Sequence, residues 1–173
     1  MNKSALLVID VQAYLFSSQR PVYRSLEMLN TLWELLSRAR KAGVQVVFTR
    51  YNGEQGNVDA PGSPGWEIHP SMQCLPGEPI IDKQHDDSFQ ETGLKELLDR
   101  KGITHLIFAG VQTEYCIEAT LRRAVREGYT VTLVADAHST CDTRQFSARH
   151  LVENANQNSA SIAEVLNARD VEF

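Results

Sequence analysis

The stretch Ile103–Gly128, ITHLIFAGVQTEYCIEATLRRAVREG, decides the fold. Ile103–Ala109 is an apolar run of strand length that ends at Gly110. Glu114–Glu127 then reads as a strong helix, with Thr113 as its N-cap, Cys116 in its first turn and Gly128 as its stop. An apolar strand passing into a helix is the repeating half of a βαβ architecture.

The same alternation runs outward in both directions. Towards the N-terminus, Ala5–Ile9 (ALLVI) is continuously apolar, as a strand buried on both faces must be. Leu26, Leu29, Trp33, Leu36 and Ala39 recur at helical spacing, and that helix ends at Gly43 with Arg38, Arg40 and Lys41 in its last turns. Val44–Thr49 is a second strand, Ile80–Asp82 a short third, and Leu94–Arg100 a short helix. Towards the C-terminus, Tyr129–Ala135 is a fifth strand, Thr143–Asn156 a helix and Ala163–Leu166 a sixth strand. The pattern predicts one α/β domain over residues 1–173: a Rossmann-like three-layer sandwich, with a mostly parallel sheet of about six strands and helices on both faces. Between strands two and three, residues 51–79 are rich in Gly and Pro (PGSPGWEIHP, LPGEP) and lack periodicity, which marks a functional loop.

Composition narrows the class. The 173 residues carry a net charge of −5 with no basic run, so no nucleic-acid surface is expected. No apolar run approaches the ~20 residues of a membrane span, and Asp10 cuts short the apolar start MNKSALLVID before it can serve as a signal peptide. Cys74, Cys116 and Cys141 are odd in number and widely spaced, which argues against a disulfide framework and for a reducing, cytoplasmic setting. No GxGxxG or GxxxxGK[ST] occurs, and Gln12 stands where an aspartate-nucleophile phosphatase needs a second Asp.

Ligands of parallel sheets bind beyond the carboxyl ends of the strands. Asp10 closes strand one, Lys83 follows strand three, and Cys116 opens the helix after strand four, so the three side chains can converge. A thiol becomes a nucleophile when it loses its proton, and an ammonium and a helix start both favour that loss. The free amides of a helix start can hold an oxyanion, and a carboxylate beside the thiol can carry the proton.

The DVQ of Asp10–Gln12, Lys83 followed by Ser88-Phe89, and the GVQTEYC of Gly110–Cys116 resemble the three signatures of the isochorismatase-like hydrolase superfamily, and the likeness spans nearly the whole chain. The resemblance implies a catalytic triad of Asp10, Lys83 and Cys116. It implies a cis peptide at Val111–Gln112 and an oxyanion hole from the N–H groups of Gln112 and Cys116. It also implies a homo-oligomer, dimer or tetramer. Gln12, Phe16, Trp66, Phe89 and Tyr115 are the candidate substrate-binding residues, with ordinary core or loop packing as the competing reading for each, and Gln12 also as a support for Asp10. Isochorismatases proper lack the cysteine, and nicotinamidases carry a metal-binding Asp-x-His that is missing from TRYNGEQG, with His69 alone in GWEIHP. The expectation is therefore a hydrolase without metal or other cofactor, acting on a C–N bond of a small molecule. A nicotinamidase-type or isochorismatase-type hydrolase, or a non-enzymatic scaffold, is the alternative. Asp82, Asp86, Asp87 and His85 are read as loop groups around Lys83, and Cys74 and Cys141 as packing residues.

Overall fold

The structure, a computed structural model, describes residues 3–17 and 21–173; Met1 and Asn2, the start of the stretch weighed against a signal peptide, lie outside it. Six strands form one sheet in the order β3-β2-β1-β4-β5-β6: β1 Ser4–Ile9, β2 Gln45–Tyr51, β3 Ile80–Lys83, β4 His105–Val111, β5 Thr130–Ser139 and β6 Glu164–Leu166. Every pairing between them is parallel. The helices are α1 Ser25–Lys41, α2 Leu94–Arg100, α3 Glu118–Arg126 and α4 Ala148–Ser159. Among the described residues no helix is long and apolar enough to cross a membrane.

The period-2 alternation of β1 divides the core. Leu6 and Val8 pack with Leu32, Leu35 and Leu36 of α1, whereas Ala5, Leu7 and Ile9 pack with Leu94 and Leu98 of α2 and Leu121 and Ala124 of α3. A strand that meets helices on both sides must be apolar at every position, which is why ALLVI does not alternate.

Two elements depart from the sequence reading. The helix after β4 begins as a π turn over Thr113–Ile117, in which the Ile117 N–H reaches the Gln112 carbonyl at 3.2 Å, and regular α-helix starts only at Glu118. Thr113 is not its cap. Gln112 holds that position, and the Thr113 hydroxyl turns into the interior to bond His138 Nδ1 at 2.9 Å. The last long helix starts at Ala148 rather than Thr143, because Ser147 caps it while Thr143 Oγ1 accepts from Gln145 and Phe146 N–H in a turn of its own.

Candidate active site

The sheet delivers three side chains to one place. Asp10 leaves the end of β1 in the left-handed region (φ 49°), which an aspartate tolerates better than most residues. Its N–H lies 3.2 Å from both the carbonyl and the hydroxyl of Thr49, and that hydroxyl donates to Asp10 Oδ1 at 2.6 Å. Lys83 ends β3, and its Nζ stands 2.7 Å from Asp10 Oδ2 and 3.3 Å from Cys116 Sγ. The ammonium also donates to the His85 carbonyl at 3.0 Å. Asp10 and Lys83 are both 2% exposed and Cys116 8%. Thr49 occupies Asp10 Oδ1, so Oδ2, beside the Lys83 ammonium, is the oxygen left to carry a proton.

The electrostatics of the thiol differ from the sequence expectation. Burial pushes the Cys116 thiol up, and the Asp10 charge pushes it further; Lys83 opposes both and loses. Lys83 itself is pulled down by burial but carried above its ordinary value by Asp10 and Cys116. The resting site therefore holds a protonated thiol beside an ammonium–carboxylate pair. Burial of the sulfur and the Asp10 charge outweigh the lysine.

The peptide Val111–Gln112 is cis. Gly110, just before it, has φ +131° and runs so close to β1 that a Cβ there would lie 2.1 Å from the Ile9 carbonyl oxygen. Behind Cys116, Thr113 hangs on His138, whose Nε2 meets Asn156 Oδ1 at 2.9 Å; the Asn156 amide in turn donates to the Ala135 carbonyl at 3.1 Å. Burial holds His138 below its ordinary value.

A cavity of about 250 Å³ opens over the thiol, lined by Asp10, Tyr14, Leu15, Tyr51, Asp86, Val111, Gln112, Tyr115 and Cys116. Of the five candidate substrate-binding residues, only Tyr115 lines it. Gln12 is fully buried and spends its side chain as a clasp: Nε2 donates to the carbonyls of Tyr51 (3.0 Å) and Trp66 (2.9 Å), and Oε1 accepts from Tyr51 N–H at 2.9 Å. Phe16 packs on His69, with ring centroids 5.3 Å apart. Trp66 bonds Asn52 through Nε1 and lies under the Arg50 guanidinium, which itself pairs with Glu67 and Asp82. Phe89 is core, stacked on Tyr129 below α2 and α3. The sequence reading missed Thr49, which fixes Asp10, and Thr120, whose hydroxyl holds the loop after Lys83 through Ser88 N–H (3.0 Å) and the Asp86 carbonyl (3.2 Å). Both are polar residues at fully buried positions. For Thr49 the signal was available, since it ends the strand beside Asp10. Among the described residues no three His, Cys, Asp or Glu side chains are grouped to hold a metal ion, and His69 caps the turn Pro70–Met72.

Two streptothricin hydrolases from Streptomyces noursei are 44% and 45% identical to this chain over 138 residues, which is 80% of it and 50% and 55% of them. The chain thus spans about half the length of these curated relatives. Nicotinamidase 3 of Arabidopsis thaliana is 32% identical across 79% of the chain and 73% of its own length. Among solved structures, an isochorismatase hydrolase from Oleispira antarctica superposes with a TM-score of 0.91 at 30% identity, covering 98% of this chain and 95% of that one. The isochorismatase domain model matches residues 4–169, and the chain belongs to the isochorismatase family.

Proposed function

We propose that the protein is a cysteine hydrolase that opens a C–N bond, amide, carbamoyl or lactam, of a small molecule through a Cys116 thioester. The observation that carries this reading is the convergence of Asp10, Lys83 and Cys116 within 3.3 Å contacts at the floor of a cavity. The names of the streptothricin hydrolases and of the nicotinamidase, a hydrolase and an amidase, support the same reading.

The protonated resting thiol sets the order of events. Asp10 takes the Cys116 proton as Sγ attacks the carbonyl carbon, so the thiolate exists only while it is being used. Once Asp10 is neutral, the Lys83 ammonium faces the sulfur alone and stabilises its charge. The N–H groups of Gln112 and Cys116 receive the oxyanion. Its collapse breaks the C–N bond, and the amine leaves with the proton held on Asp10. Asp10 then removes a proton from water as the oxygen attacks the thioester; the carboxylic acid departs and the proton returns to Cys116.

The test is a mass-spectrometric screen for added water across small amides, ureides, carbamoyl compounds and lactams, the last because ring opening frees no ammonia. The wild type should convert at least one class and show an acyl adduct on Cys116 after acid quench. Undiminished hydrolysis by Cys116→Ala would refute the assignment.

A further inference from the structure

The cavity carries a charge that the proposed reaction does not use. Asp86 lines it beside Cys116, with Sγ 3.6 Å from Asp86 Oδ1, and the side chain is exposed. The other carboxylate at the cavity, Asp10, is neutralised by Lys83, whose side chain is wholly buried and not offered to a ligand. Among the described residues no Lys, Arg or His forms an ion pair with the Asp86 carboxylate, the Lys83 ammonium reaching only its carbonyl at 3.5 Å, and no cation lines the cavity; Arg50 is spent on Glu67 and Asp82. The phenols of Tyr14, Tyr51 and Tyr115 form the rest of the polar wall. Tyr14 is pushed up by burial and then by Asp59 and Asp10, and Tyr51 by burial and then by Asp86 with Lys83 opposing, so both stay neutral.

We propose that this site selects substrates that carry an ammonium or guanidinium group close to the scissile carbonyl, with Asp86 as the residue that binds it; the inference rests on Cys116 being the nucleophile of a hydrolase. In the free protein water solvates Asp86. A substrate that fills the cavity removes that water, and a neutral group in its place leaves a carboxylate covered without a partner, whereas a cation restores the pairing. An anion would meet a net negative wall. Aromatic rings attract cations through their faces, which adds to the same preference. At about 250 Å³ the cavity takes a small molecule or the reactive end of a larger one.

The test needs no known substrate. Cys116 is modified with three methanethiosulfonates of similar size, bearing a trimethylammonium, a neutral methyl and a sulfonate group, and peptide mapping separates it from Cys74 and Cys141. The cationic reagent should react more than tenfold faster than the anionic one. Asp86→Asn should cut that ratio at least tenfold while the neutral reagent stays within about threefold of wild type. Asp86→Glu should keep the preference, and Glu96→Gln, the same charge change on exposed α2, should leave it unmoved. Equal rates for the charged reagents, or a preference that survives Asp86→Asn, would overturn the cation subsite and leave the nucleophile standing. Failure of all three reagents at Cys116 while Cys74 and Cys141 react would overturn the nucleophile and the subsite together.

Discussion

Asp10, Lys83 and Cys116 stand on the ends of β1 and β3 and on the turn after β4, nearly sealed from solvent, while Tyr14, Tyr51, Asp86 and Tyr115 come from loops and element ends and are half-buried or exposed. The floor is thus built by the sheet and the wall by its connections. A floor residue has partners on every side and no room for substitution. A wall residue keeps part of its side chain in solvent, even where its backbone is tied down, as those of Tyr51 and Asp86 are. Chemistry placed on the floor can be held to a few tenths of an ångström, and selectivity placed on the wall can change without disturbing it.

Asp10→Asn tests that division most severely. Asparagine tolerates the left-handed backbone and keeps a hydrogen bond to Thr49, but it cannot carry the Cys116 proton. Turnover should fall about 10⁴-fold in a steady-state assay, whereas Tyr14→Phe on the wall should stay within about tenfold. Asp10→Asn should also lower stability, by ~3 kcal/mol, because Lys83 loses its counter-charge. Adding Lys83→Met should recover most of that loss in urea unfolding and none of the activity. If the double variant is no more stable than Asp10→Asn, the ion pair is not the strained element of the floor.

Gly110→Ala comes next. The left-handed φ and the 2.1 Å approach to the Ile9 carbonyl leave no space for a methyl group without separating β1 from β4. Unfolding free energy should drop by ~3 kcal/mol or more. A loss under about 1 kcal/mol would mean that the strand ends can yield, and the floor would then be softer than its hydrogen bonds imply.

Gln12→Ala acts where floor and wall meet. It removes one side chain that ties the Tyr51 and Trp66 backbones to the end of β1. The cost should be about 2 kcal/mol, since the stranded backbone groups of the loop can recover water. Weakened substrate binding with little change in kcat would place its role in shaping the wall.

The difference between floor and wall also explains what could be read beforehand. Strand ends follow from apolar runs and the handedness of βαβ units, so Asp10, Lys83 and Cys116 could be brought together from one dimension. The π turn could not, because Thr113 is a good cap by type and is drawn away by a histidine 25 residues on. Phe89 follows Lys83 closely in sequence, yet it packs in the core with residues of α2 and α3. Trp66 and Phe16 lie in or near the long loop, where aromatic type alone does not say which side faces the substrate. Tyr14, in the short turn Ala13–Phe16, and Tyr51, the last residue of β2, carry no motif at all; only the folded chain places them at the cavity.

The smallest effect probes what lies behind the floor. His138 accepts from Thr113 through Nδ1 and donates to Asn156 through Nε2, and its pKa lies below 6.5 because it is buried. The unfolded chain binds a proton that the fold refuses once the pH drops beneath that value, so the contribution is complete above pH 6.5 and lost as the pH falls. His69 and His105 are shifted in the same direction, also by burial. Urea unfolding should therefore show stability falling as the pH drops from about 7 towards 5. His138→Gln, which keeps an acceptor for Thr113, should flatten that slope. A proton on His138 turns Nδ1 from acceptor to donor, so the Thr113 hydroxyl must rotate to accept and a charge enters a buried site, which disturbs the turn that carries Cys116. Activity in His138→Gln should consequently fall less with acid than in the wild type; identical pH–kcat profiles would show that the floor does not depend on the histidine beneath it.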